Sequence, residues 1–199
     1  MPYIVSISHW GRLGRRLGRW TVINIEPTNA DPGLLRRAFG CFPSGVTAVC
    51  AMVDDQPVGM AASSFTSVSI APALVSVCFQ SSSGTWQMLR DRARLGISVL
   101  AQGQDEVCMR LASKATDRFA DVAWDRSAEG AVFVHGATAW LECSLHSEVP
   151  AGDHAVALLE IHGLRANPDA APLVFHGSKF RRLAVIAFEG DIADFADYE

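Results

Sequence analysis

The sequence is short of most features that announce a function. Its 199 residues hold no G-x-G-x-x-G after a strand-like run and no G-x-x-x-x-G-K-[ST]. Neither a dinucleotide-binding crossover nor a P-loop is therefore supported. H-E-x-x-H is absent and the six histidines are dispersed, so a metal site would have to be assembled across strands, and no metal is expected. G-x-S-x-G is missing too, which removes the usual nucleophile elbow of a serine hydrolase. The five cysteines stand singly inside apolar runs with no C-x-x-C pair. An odd, scattered set reads as reduced core thiols in a cytoplasmic protein, not as a disulfide framework. No apolar run approaches the roughly 20 residues of a membrane span. A net charge of −4 argues against a general nucleic-acid binder. Neither a membrane nor a nucleic acid is expected as a partner.

What the chain does have is a 49% hydrophobic composition, enough for a substantial core within one domain. Residues 1–29 stand apart. Arg12, Arg15, Arg16 and Arg19 occur without an acid before Glu26, and three glycines interrupt any helix there. TVINIEPTN is too short and too polar for the apolar part of a secretory signal, so this segment is expected to be a poorly ordered basic extension. Residues 30–190 form the expected folded domain, and 191–199 an acidic tail.

Within the domain, Asp31 suits a helix N-cap and Pro32 a first helical position, so DPGLLRRAFG reads as a short helix with Leu34, Leu35, Ala38 and Phe39 as its apolar stripe. VTAVCAMV is a β-branched strand ended by DDQP, and strands follow over Val58–Val68 and Ala73–Gln80 with a turn at Ala71–Pro72. Gly84–Arg94 has helical spacing, with Trp86, Leu89 and Ala93 on one side. LGISVLA is a strand, and Gln104–Ala112 a short helix with Glu106 and Arg110 at i, i+4. Residues 113–130 read as a polar loop packing through Phe119 and Trp124. AVFVHG, ATAWLECSLHSEV, HAVALLEIHGLRA, APLVFH and LAVIAFEG complete the set. In the second, Ala139, Leu141, Cys143 and Leu145 share a face, and in the third Ala155, Ala157, Leu159 and Ile161 do. About seven or eight strands with few short helices indicate a mainly β fold, a closed or nearly closed β-barrel.

The densest chemical signal is Val58–Trp86. Ser63, Ser64, Thr66, Ser67 and Ser69 crowd its first strand-like run, and Ser81, Ser82, Ser83 and Thr85 close the second. Buried hydroxyls need partners, so either a polar planar ligand lies against them or they belong to a serine-rich edge strand and loop. At Ser81–Thr85 a strand ends where a helix starts. Backbone N–H groups, the helix dipole and hydroxyls can converge there on a dianion, although one serine would cap the helix in any case. Gly152-Asp153-His154 opens an apolar strand and places His154 at its mouth, in either a structural or a functional role. His176 is a weaker candidate of the same kind. Lys114 and Arg118 are either anion contacts or solvated surface charges.

These pieces fall in a recognisable order: FPSGVTAVCA, GMAASSFTSVSIAPALVSVCF, SSSGTW, ISVLAQGQ, KATDRF, LECSLHSEVPAGDHAVALLEI and PLVFHGSKF, covering roughly residues 34–183. The chain resembles the flavin reductase-like family, the NAD(P)H:flavin oxidoreductases that partner two-component monooxygenases. The resemblance implies a homodimeric FMN-binding split β-barrel over residues 30–190, with FMN or FAD and with NADH or NADPH as hydride donor. It also implies a partner monooxygenase fed by diffusing reduced flavin. It places Met60, Ala61, Ala62, Ser63 and Ser64 along the flavin ring, Ser81, Ser83 and Thr85 on the flavin phosphate, and Phe119 near the cofactor. His154 would lie where nicotinamide stacks and is the implied catalytic residue. Ser98 is a further cofactor-binding position by the same resemblance. It stands where the family commonly has asparagine, and the alanines of GMAAS where threonine is common, so individual flavin contacts are expected to differ here. A flavin-binding barrel without nicotinamide turnover, acting as a sensor or electron carrier, is the alternative.

Overall fold

The computed structural model describes residues 31–184 together with Ile23, Ile25 and Pro27. The expectations for residues 1–29 and 191–199, and most of the strand expected at LAVIAFEG, lie outside the described residues. Helix α1 (Pro32–Phe39) starts where Asp31 Oδ1 accepts from Gly33 N at 2.8 Å. Its expected stripe packs only in part. Leu34 and Leu35 are half-buried, whereas Phe39 is 71% exposed.

Strands β1 (Ser44–Gly45), β2 (Thr47–Val53) and β3 (Gln56–Ala62) come next. Asp54 and Asp55, both at positive φ, make the two-residue turn whose twist suits the β2–β3 hairpin. The expected single strand over Val58–Val68 is in fact two: β3 ends at Ala62, and β4 (Thr66–Ser69) begins after a three-residue break. Across the turn at Ala71–Pro72, a cis bond, β4 pairs antiparallel with β5 (Leu74–Gln80). Helix α2 (Gly84–Leu89) is six residues long, shorter than its spacing suggested, because the chain turns off at Arg90 and leaves Ala93 exposed.

Strand β6 (Leu95–Val99) and helix α3 (Asp105–Ala112) follow. Arg110 pairs with Asp121 of the following loop at 2.9 Å. That loop is not wholly irregular: β7 (Trp124–Arg126) pairs with β8 (Val132–Val134). The long hairpin β9 (Ala139–Ala151) and β10 (His154–Ala166) keeps the alternation read from the sequence, with Leu141, Cys143, Ala155, Ala157 and Leu159 buried. A small sheet of β1, β11 (Val174–His176) and β12 (Lys179–Arg181) ends the described chain.

The main sheet is antiparallel in the order β3-β2-β6-β9-β10-β5-β4. One face holds a core of Val49, Ile97, Val77, Phe79, Leu159 and their neighbours, closed over by Trp86 and Leu89 of α2. Phe79 and Trp86 stack at 3.9 Å between centroids. Burying two such rings contributes several kcal/mol, about 2–3 for each side chain. On the other face Ala48 and Cys50 meet Leu111 of α3, Phe119, and Val132 and Val134 of β8. The sheet also curls until its margins approach. Ser64, just past β3, donates its hydroxyl to the Cys78 carbonyl at 3.1 Å and accepts from Cys78 N at 3.0 Å on β5. Ser64 stands where the β4–β5 register (Thr66 opposite Ser76) would continue to Cys78, and its side chain takes the place of backbone there. The result is a mainly β, barrel-like fold with three short helices among the described residues, as the sequence indicated.

Candidate flavin site

The middle of β3, the start of α2 and the loop after α3 meet at one place. Gly59 allows it, because a Cβ there would overlap the Cys50 sulfur and stand 3.1 Å from the Phe119 ring. Phe119 is buried under this strand and packs edge-on against Trp124 at 6.3 Å. Asp117 holds the loop in shape, its Oδ1 accepting from Phe119 N at 3.0 Å and Ala120 N at 2.9 Å. Arg118 then ties three elements together. Its Nη1 donates to the Gly59 carbonyl at 3.2 Å, to Thr85 Oγ1 at 3.1 Å and to the Leu111 carbonyl at 3.4 Å. A cleft of about 410 Å³ opens here, lined by Pro57, Gly59, Thr85, Met88, Arg118 and Phe119 among others.

Met60, Ala61 and Ala62 are half-buried on β3, and Thr47 Oγ1 donates to the Ala62 carbonyl at 3.1 Å. Met60 Sδ lies 4.0 Å from Ser83 Oγ, which brings the β3 end beside the α2 turn. Ser83 is the N-cap of α2, accepting from Trp86 N at 3.2 Å. Ser63, Ser81, Ser82 and Gly84 are exposed, with open space above Gly84. His154 opens β10 opposite Gln80, and the Asp153 carbonyl accepts from Ser81 N at 3.0 Å, so the Gly-Asp-His turn abuts the serine turn. His154 Nδ1 and Asp153 Oδ1 are 2.8 Å apart. That hydrogen bond, and secondarily the imidazole's charge, lowers the Asp153 carboxyl below its ordinary pKa.

Contacts link several of the expected residues in series: Met60 meets Ser83, Thr85 meets Arg118 beside Phe119, and Ser81 meets the turn that precedes His154. Of these, Thr85 and Phe119 line the cleft itself. Ser98 does not join them. It is fully buried on β6, and its hydroxyl accepts from Val134 N at 3.0 Å. His176 lies on the separate β11–β12 hairpin, and Lys114 is exposed. Arg118, read from sequence only as a possible anion contact, is the centre of the cleft wall. Its signal was the D-R-F triplet, in which an aspartate two residues before a phenylalanine favours the tight turn seen here.

The thiols take no part in this chemistry. All five cysteines are free, and burial pushes Cys50 and Cys143 up to about 12. No group of histidines, cysteines and carboxylates among the described residues is arranged to hold a metal. Nor is any described helix long and apolar enough to cross a membrane. A flavin nucleotide fits what is present: a guanidinium and exposed hydroxyls at an open helix turn suit a phosphate, and the adjoining strand end and cleft suit a planar ring.

Fold and site together define a barrel-like β protein with a cleft walled by β3, α2 and the Arg118 loop. Comparison with known proteins makes this specific. The flavin reductase like domain model matches residues 39–184, and the chain belongs to the flavin reductase-like family. A flavin reductase of Pseudomonas putida is 36% identical over 157 residues, 78% of this chain and 92% of that one. The HsaB reductase subunit of a flavin-dependent monooxygenase from Rhodococcus jostii is 33% identical over 150 residues, 75% of this chain and 77% of its own. Among solved structures, an NADH:FAD oxidoreductase of Streptomyces globisporus, determined with NAD and FAD fragments, superposes with a TM-score of 0.76 at 37% identity. That match covers 82% of this chain and 98% of the other.

Proposed function

We propose that this chain is an NAD(P)H-dependent flavin reductase that supplies reduced flavin to a flavin-dependent monooxygenase. The observation that carries the reading is the series of contacts from β3 to the serine turn, which is tied to Arg118 at Thr85 and to the Gly-Asp-His turn at Ser81, in a chain of this family. Bound flavin, FMN or FAD, supplies the hydride-accepting chemistry, with NADH or NADPH as donor. The protein's part is orientation and electrostatics. In this reading Met60–Ser64 lie along the ring. Ser81 and Thr85 hold the phosphate with the Arg118 guanidinium beside them, and Ser83 keeps the turn in shape as helix cap. His154, steadied by Asp153, borders the place of the nicotinamide. Ser98 takes a packing role in place of the cofactor role its position in the family implied, because its hydroxyl is sealed against Val134. A homodimer in the cytoplasm belongs to the same proposal; five free thiols suit a reducing compartment.

Steady-state oxidation of NADH and NADPH with added FMN and FAD tests this directly, with turnover expected for at least one pair. A purified yellow protein whose flavin neither nucleotide reduces would replace the enzyme by a flavin-binding carrier.

A further inference from the structure

Beyond the cleft, one carboxylate bridges helix α2 and the hairpin that leads to His154. Glu148 lies near the end of β9, opposite Ala157 of β10, with a side chain only 14% exposed. Its Oε1 accepts from the Trp86 indole Nε1 at 2.8 Å, and its Oε2 pairs with Arg90 Nη2 at 2.7 Å. Trp86 is in the first turn of α2 and Arg90 is its C-cap, so both ends of a six-residue helix are fastened to one side chain of the neighbouring hairpin. A helix this short has little stability of its own and takes its position from tertiary contacts. The same hairpin carries the Gly152–Asp153 turn and His154 just beyond Ala151.

We propose that Glu148 is a positioning residue, fixing the Ser81–Thr85 turn against the hairpin that bears His154. The inference rests on the flavin reading above. Stacking on Phe79 sets the plane of Trp86, but a stacked ring can still slide within that plane. The hydrogen bond from its indole to a charged acceptor removes this freedom and so fixes the rotation of α2 about its axis. Because Ser83 caps the helix through Trp86 N, fixing Trp86 fixes the cap and the serine turn before it. The Ser81 N bond to the Asp153 carbonyl completes the frame from the other side.

The experiment measures the dissociation constants of FMN and riboflavin, which differ only by the phosphate, for four proteins. In the wild type, FMN should bind at least about tenfold tighter, the order expected of charge-assisted phosphate contacts. Glu148→Ala should lose most of that preference, and Glu148→Gln, which keeps an acceptor for the indole, should retain it to within about twofold. Trp86→Phe keeps the stacked ring but removes the N–H, so it breaks the same bond without the charge change and keeps the test open if Glu148→Ala does not fold. It should lose the preference as Glu148→Ala does. A wild-type preference left intact in folded Trp86→Phe or Glu148→Ala overturns the positioning role while the phosphate reading stands. Equal affinities for both ligands in the wild type overturn the phosphate reading and this inference with it.

Discussion

Ser98 separates two physical accounts of one residue, and Ser98→Ala decides between them. Ser98 is fully buried on β6, flanked by Ala48 and Trp140, and its hydroxyl accepts the amide of Val134 at 3.0 Å. The Val134 carbonyl is already taken by Trp140 Nε1 at 2.7 Å, so this one residue of β8 is pinned from both sides. Removing the hydroxyl leaves a buried N–H without an acceptor. The cost of that is about 1–3 kcal/mol. For a chain of this size, 1 kcal/mol lowers Tm by roughly 2–4 °C, so Ser98→Ala should melt about 2–12 °C below the wild type. Flavin affinity should stay within about twofold, because nothing on the cleft side changes. Differential scanning calorimetry with a flavin fluorescence titration on the same samples gives both readings. An unchanged Tm with flavin affinity lowered tenfold would refute the packing argument and return Ser98 to the cofactor.

The buried thiols give a pH test. Burial pushes Cys50 and Cys143 up to about 12, from 9.0 for an exposed thiol. Above pH 9 the unfolded chain loses these protons while the folded chain keeps them, so stability is intact below pH 9 and falls as pH rises toward 12. The fall is about 1.4 kcal/mol per thiol by pH 10. Urea midpoints between pH 8 and 10 should show it, and Cys143→Ala should shrink it; a pH-independent midpoint contradicts the burial. Separately, His154→Ala should lower kcat by about tenfold or more while flavin Kd moves less than about twofold, since the nicotinamide is proposed to lie beside His154. Equal losses in both would make the histidine structural.

The strands and the hairpin were legible because period-two alternation and turn chemistry are local signals, and the candidate site was legible only as a run of hydroxyls and a Gly-Asp-His turn. Leu141, Cys143, Ala157 and Leu159 face the core as their spacing requires. Asp31-Pro32 starts α1 as such a pair should. What was not legible depended on contacts across the fold. The break after Ala62 is invisible in a continuous run of small and hydroxyl residues, because only the curl of the sheet makes β3 leave its neighbour there. The early end of α2 and the Arg110–Asp121 pair have the same origin: tertiary partners override spacing that is locally consistent with a longer helix and with a Glu106–Arg110 bridge. Glu148 carried no sequence signal at all, since a glutamate in an alternating strand normally faces water.

The hydroxyl-rich stretch shows most clearly how structure and ligand binding share one set of residues. Density suggested a ligand because caps and turns need few hydroxyls. Yet Ser64 substitutes for a missing ladder pair on Cys78, Ser83 caps α2, and Thr85 receives Arg118. Each of these bonds is needed because the chain leaves one sheet margin and rejoins at the other, where backbone groups cannot all meet backbone groups. The residues still presented outward are Ser63, Ser81 and Ser82, together with the open face of Gly84. In the proposed reading, hydroxyls bound to the fold hold the turn rigid, and the exposed ones, with Thr85 beside Arg118, face the ligand. In that reading the backbone of the turn is pre-organised, so an arriving phosphate need order only the exposed hydroxyls.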